Sequence, residues 1–575
     1  MKRSPITILT AVLLLFALCI GCAKVQTNDP APTAAPSPAP TEVPVYDADG
    51  IPIRWKNGGT LRFLSAEPLS VPDLADMVYT RPDADALIAA LETLLNKAPD
   101  GPDAETILSD YYAVVPQIRH FQTMQDLALF RFSMNTADPV CTEEYDYCDE
   151  QAAIVTEKLN ALYAAYAATP FRDALERAYF GEGFFLDYED YADTDEAFFA
   201  LKKQENDLLF DYYQLSYSLD DSSYYGIKQG HDAIGNQFIA LAAVRRQIAE
   251  AKGYENYIDY CYDCVYRRDY TAVQAREFLD LVKTYLAPLV EDPRIFDEYA
   301  DYTRSSPSLA TEALAAAAEK MGGPIADSFR FFEGHRLYDI TSSYYKQGIG
   351  YTSYLDDYEA PFVFIDPDSK DLMPTLFHEF GHFTDFYVNY GMTSDLETAE
   401  TYSQAMQYLA YAYADPFTDE ERAQNLRATL ANLLLYSILR EGAYADFELQ
   451  VYALPTEELT LDRIDAIYEQ CMNDYGLGAL SGAQFRKIYW IAYGHFFNFP
   501  GYVVSYAVSA LSAVEIARME AQQPGAGVDA FCRLLSRSRN LKFSAVIKEA
   551  QLQPPFTADA MQETADFLKS AFAAN

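Results

Sequence analysis

The 575-residue chain is short of histidine, tryptophan and positive charge: six His, two Trp, and 43 Lys and Arg against 85 Asp and Glu. The resulting formal charge of −42 disfavours nucleic acid and anionic lipid surfaces as partners, because both call for a basic face. Cysteine is also scarce. Cys261 and Cys264 are not followed by a second pair at metal spacing, which argues against a structural zinc knot. Cys141 and Cys148, if on one helix, are separated by about 10 Å of rise, beyond disulfide reach. These four, with Cys471 and Cys532, read as buried thiols. Strand-like runs are sparse, and no 20–50-residue repeat is evident.

Against that background two of the six His stand four residues apart, in His378-Glu379-Phe380-Gly381-His382. On a helix, positions i and i+4 share a face one turn apart. Two imidazoles so placed can each give a nitrogen to one tetrahedral zinc. Glu379 then points at the open coordination position, where it can take a proton from water. The segment around the pair reads as a buried helix. Ser369 or Asp371 can cap it, Pro374 suits its first turn, and Gly391 can stop it. Three of the other four His (His120, His231 and His335) sit without paired ligands.

A catalytic zinc takes a third protein ligand, and the next segment offers Glu397 and Glu400. Ser394 followed three residues later by Glu397 is a capping box, which assigns Glu397 to a helix start. Glu400, one turn further in, is the preferred third ligand, with Glu397 as the alternative.

Four stretches together are similar to one family. They are Lys252-Gly253-Tyr254-Glu255-Asn256-Tyr257 with Arg268-Asp269-Tyr270-Thr271; Ala360-Pro361-Phe362-Val363-Phe364; the His378–His382 run with Ala399-Glu400-Thr401-Tyr402-Ser403; and His495 to Tyr506. The chain resembles the M3 metallopeptidases, within them the oligopeptidase F group. The resemblance implies an elongated two-lobed helical body around a deep channel that admits short unstructured peptides, and one zinc held by His378, His382 and Glu400. It also implies transition-state donors at His495 and Tyr506, with Tyr502 beside them. Neutral donors aimed at the carbonyl oxygen stabilise the charge that peptide hydrolysis develops there. Pro500-Gly501 permits a new helix start, which would set Tyr502 and Tyr506 on one face at i, i+4. The chain departs from the family pattern at Asp385, where a third His is common, and at Gln407, where a Glu is usual. Gln407 is expected to orient a ligand as a neutral amide. The loop between His382 and Glu400 is also short for the family.

The run Phe362-Val363-Phe364-Ile365 reads as a strand. If it lies at an edge, Phe362, Val363 and Phe364 could pair with an extended peptide by β-augmentation; otherwise it is a buried strand. Elsewhere helical periodicity dominates, from 83 to 168 and 204 to 252, and the Ala-rich stretch Leu309–Lys320 favours helix. The expected class is mainly α with a small sheet at the active site.

Lys2 and Arg3 precede an apolar run, Ile6 to Ile20, that ends in Gly21-Cys22. This reads as a secretory signal, too short for a membrane-spanning helix. Gly before Cys resembles a bacterial lipobox with Cys22 lipidated. Residues 27–45, rich in Pro, Ala and Thr, read as an extended spacer. The expected organisation is a signal peptide (1–21), a tether (22–48), an N-terminal helical domain (49–200) and a catalytic domain (201–575). It suggests a monomeric zinc endopeptidase acting on oligopeptides, lipid-anchored on the outer face of a bacterial membrane or secreted. The competing readings are a peptide-capturing lipoprotein without turnover and a dipeptidyl carboxypeptidase.

Overall fold

The computed structural model describes residues 45–46, 52–53, 71–98, 101–181, 183–188, 196–216, 219–220, 223–292, 306–368, 372–391, 395–414, 420–479, 487–537 and 541–573. The signal segment, Cys22, most of the tether, Ser369, Asp371 and Ser394 lie outside them. The fold is mainly helical with a small three-stranded sheet, as the sequence led one to expect. The helical stretch expected from 83 to 168 is three helices, Ala84–Lys97, Ala104–Met134 and Pro139–Ala167. The breaks fall where Asp103 and Asp138 turn the chain and cap the next helix, their carboxylates accepting from Thr106 N and Val140 N. No described helix is long and apolar enough to cross a membrane. The described cysteines are all free thiols, buried except for the half-buried Cys532.

The described chain forms two compact units, each discontinuous in sequence. One takes in 71–188 and 306–391, the other 196–292 and 395–573. The chain thus passes between units near 193, 304 and 393, rather than once near residue 200.

In the first unit the sheet comprises β1 (Tyr338–Asp339), β2 (Gly350–Leu355) and β3 (Ala360–Ile365), in the order β1-β3-β2. β1 runs parallel to β3, with Tyr338 opposite Val363; β2 runs antiparallel to it, with Thr352 opposite Val363 and Ser353 opposite Phe362. Alternation sends Tyr351, Ser353, Phe362 and Phe364 to one face. There Ser353 donates to Asp126 (2.6 Å), and Phe130 packs on Phe362 and Phe364. Gly350, Thr352 and Tyr354 face the helix Leu372–Asn389 on the other side. All six residues of β3 are buried, and each large side chain there contributes roughly 1.5–3 kcal/mol of apolar burial.

This order corrects the edge expectation. Phe362, Val363 and Phe364 lie on the central strand, with both backbone sides paired, and cannot receive a peptide. The edge strands are β1 and β2, and β2 is the longer. Its register identifies which groups point away from β3: Asp366 N donates to Ile349 O (3.0 Å), so the odd-numbered residues 349 to 355 face β3. Antiparallel alternation then turns the N–H and C=O of Gly350, Thr352 and Tyr354 outward.

In the second unit a buried arginine, Arg245, ties helices together. It pairs with Glu205 (2.8 Å), donates to Tyr452 Oη (3.0 Å) and also bonds the carbonyls of Phe496 and Phe497. It thereby fixes the short helix His495–Asn498. His231 sits against Asp465 (2.9 Å), which also accepts from Trp490 Nε1 (2.9 Å). In the first unit His120 faces Asp357 (2.7 Å) and His335 bonds the Val71 carbonyl (2.8 Å).

Candidate active site

The helix Leu372–Asn389 carries the His pair on its second and third turns. Pro374 is its third residue, where a missing N–H leaves no bond unmade. The helix ends through left-handed Tyr390 (φ 57°) and Gly391 (φ 70°), with Gly391 N donating back to Phe386 O (2.9 Å). A Cβ at Gly391 would lie 2.3 Å from the Tyr354 ring, so glycine is needed for packing as well as for φ. The His378 and His382 rings are 5.2 Å apart. One donor atom from each of His378, His382 and Glu400 lies within 4.8 Å of the others. Burial, with His378 beside it, pushes His382 down to about 3, so its imidazole is neutral and able to ligate a metal.

Glu379 is buried. Thr352 Oγ1 lies 2.8 Å from its Oε2 and 3.0 Å from its backbone carbonyl. Nothing in the sequence marked Thr352; its role depends on how β2 lies over the helix.

Glu400 is buried on the helix Leu396–Ala414. Ser403 Oγ donates to its Oε2 (3.1 Å), which accounts for the Ser three residues on. Burial pushes Glu400 up to about 7, with Ser403 and the Tyr502 hydroxyl working against the shift. Glu397 is not the helix cap. Asp395 caps, accepting from Thr398 N (2.9 Å). Glu397 Oε1 instead accepts from Arg268 Nε (2.7 Å), Tyr270 Oη (2.6 Å) and Ser505 Oγ (2.7 Å). Burial works to raise Glu397, but Arg268 and these hydroxyls hold it below the usual carboxylate range. A carboxylate so engaged is not available as the third ligand, which leaves Glu400. Gln407 is half-buried. The buried amide one turn past Glu400 is Gln404, donating to Ser509 Oγ (3.1 Å). Asp385 is buried and accepts from Asn389 Nδ2 (2.7 Å).

His495, Tyr502 and Tyr506 come together as their order suggested, by a different route. Tyr502 precedes the helix Val504–Gln522 and so does not share a helical face with Tyr506. A turn closed by Ser505 N to Tyr502 O (2.9 Å) sets the two rings 5.1 Å apart. The His495 ring lies 5.7 Å from Tyr502 and 6.0 Å from Tyr506. It stacks on Tyr493 at 4.9 Å, whose hydroxyl donates to Glu441 (2.9 Å). Burial, then the Arg440 charge, pushes His495 down to about 4, leaving it a neutral donor. Gly501 (φ 79°) makes the turn and donates to Glu448 Oε1 (2.9 Å). Arg268 holds the same turn, donating to Gly501 O (2.8 Å), Tyr502 O (3.3 Å) and Ser505 Oγ (2.6 Å). The Arg268 motif visible in the sequence thus serves the turn that carries Tyr502.

Comparison with known proteins agrees with this arrangement. The model of the peptidase M3 N-terminal domain matches residues 74–194, and that of peptidase family M3 matches 338–566, together more than half the chain. Among solved structures, Pz peptidase A with an inhibitor aligns with TM-score 0.74 and 19% identity over 87% of this chain and 99% of that one. A provisionally named oligoendopeptidase F from Bacillus anthracis str. Ames aligns with TM-score 0.71 and 20% identity over 88% and 99%. Oligoendopeptidase-F from Enterococcus faecium aligns with TM-score 0.51 and 13% identity over 85% and 97%. At these identities the structures speak for the fold. No curated protein matches in a sequence search. The chain belongs to peptidase family M3 and is an oligopeptidase F-like metallopeptidase.

Proposed function

We propose that this metallo-oligopeptidase is a zinc endopeptidase that cleaves internal bonds of short, unstructured peptides. The observation that carries this reading is the convergence of His378, His382 and Glu400 donor atoms within 4.8 Å, with Glu379 in the turn between the two His. The residues fit zinc. Two neutral imidazoles and a carboxylate are a usual catalytic donor set, and a carboxylate buried as Glu400 is needs a nearby cation to stay ionised. When bound, the metal supplies a Lewis acid that acidifies a coordinated water and polarises the scissile carbonyl.

The chain's own groups do the rest. Glu379 takes a proton from the attacking water as the water oxygen adds to the carbonyl carbon. The same proton goes to the leaving nitrogen as the C–N bond breaks. His495 and Tyr506, with Tyr502 beside them, are neutral donors for the developing negative charge. The N–H and C=O groups of Gly350 and Thr352, turned away from β3, offer an extended peptide a strand partner. Recognition through backbone bonds leaves side-chain preference broad.

The test is Glu379→Gln, which keeps the side chain's size and removes the base. The variant is expected to bind zinc as the wild type does and to lose cleavage of an internally quenched oligopeptide. Wild-type cleavage by the variant would refute the assignment. We also propose a monomer tethered through lipid on Cys22, supported by Gly21-Cys22 after the apolar run. Palmitate labelling that Cys22→Ala fails to abolish would refute the tether, and light scattering that gives a dimer mass would refute the monomer.

A further inference from the structure

We propose that Thr352 is a positioning residue that fixes the carboxylate of the base Glu379 and ties it to the peptide-pairing edge. This rests on the reading of Glu379 as the base. The Thr352 hydroxyl has one proton to give and two lone pairs. Two acceptors lie within its reach, Glu379 Oε2 at 2.8 Å and the Glu379 backbone carbonyl at 3.0 Å. Donation to Oε2, the closer acceptor, fixes the orientation of the carboxylate, and the backbone carbonyl beside it holds the hydroxyl against the same turn of the helix. A methyl in place of the hydroxyl makes neither contact.

The same residue belongs to the docking edge. The β2 register turns its N–H and C=O outward, away from β3. A peptide strand paired there would fix the backbone from which the hydroxyl hangs, so substrate docking and base alignment meet in one residue. Its neighbour on that face, Gly350, borders the same carboxylate: a Cβ there would press on Thr375 Cγ2 at 2.9 Å and reach Glu379 Oε1 at an ordinary contact distance of 3.6 Å. Thr352 is partly exposed and at a strand edge, a position that places no packing demand for threonine over valine. The hydroxyl is what distinguishes it.

The experiment compares Thr352→Val and Thr352→Ser with wild type and Glu379→Gln, all zinc-loaded, on a quenched peptide, with metal content and Tm recorded. Losing one hydrogen bond to a charged group predicts kcat about 10- to 100-fold lower in Thr352→Val. KM is expected within about 3-fold, with zinc content and Tm unchanged, and Thr352→Ser is expected to keep kcat within about 3-fold of wild type. Three results would overturn the inference: full kcat in Thr352→Val, equal loss in Thr352→Ser, or a loss that follows reduced zinc or Tm. An inactive Glu379→Gln beside a fully active Thr352→Val sinks this inference alone. An active Glu379→Gln sinks the base reading beneath it.

Discussion

Replacing Arg268 with Met removes the cation from one of the most enclosed ion pairs in the protein. Both side chains are almost fully buried, 0% and 2% exposed. Glu397 would keep its hydroxyl donors, Tyr270 and Ser505, but lose its counter-charge. Removing one partner of a buried pair typically costs about 3–5 kcal/mol, because the other charge is left desolvated. Two carbonyls, of Gly501 and Tyr502, also lose a donor, at about 1 kcal/mol each. The surviving hydroxyls and the Met side chain offset part of this, so a loss of about 4 kcal/mol is expected. The pH dependence gives a sharper signature. In the wild type the folded pKa of Glu397 is depressed. Its contribution is present above the unfolded carboxylate pKa and is lost as pH falls through the folded value. In Arg268→Met burial acts unopposed by Arg268, the carboxyl shifts upward, and the penalty shrinks on acidification. Urea unfolding at about pH 7.5 and about pH 4.5 should therefore show a larger gap between wild type and variant at the higher pH. A variant within 1 kcal/mol (roughly the size of one ordinary hydrogen bond) at the higher pH, or a gap that widens in acid, would refute the reasoning.

Gly350→Ala places a methyl 2.9 Å from Thr375 Cγ2. We expect about 1–3 kcal/mol of destabilisation and a lower kcat from the strain beside Glu379. Thr375→Ser in the same chain removes the clashing methyl and should restore both, as read by urea melts and peptide cleavage. His231 has its pKa raised by its bond to Asp465, with burial opposing. Its contribution to stability is full below the unfolded pKa and is lost as pH rises through the folded one. The Tm deficit of His231→Gln should accordingly be greater at about pH 6 than at about pH 9; a deficit independent of pH would contradict the pairing.

The local parts of the site were legible because their chemistry sits within one turn of helix. The His378–His382 spacing and the Glu between them are fixed by helical geometry alone. Glu400 lies with the His pair, though the capping argument that singled it out did not hold. Glu397 is drawn inward by Arg268, more than a hundred residues away in sequence, and Asp395 takes the cap. Tyr502 illustrates the same limit: its place beside Tyr506 comes from a turn held by Arg268 and Glu448, rather than from a helical face. The strand Ala360–Ile365 was legible as a strand but not as a central one, since its six apolar residues suit either place and pairing order is a non-local property. Thr352 gave no signal, because a hydroxyl on a strand becomes part of a site only once a helix is laid under it.

Metal exchange on the purified protein tests the central claim most directly. The account predicts about one zinc per chain, loss of quenched-peptide cleavage on chelation, and recovery when zinc is returned. Cleavage at full rate by the metal-free protein, or none by the zinc-loaded protein, would contradict it.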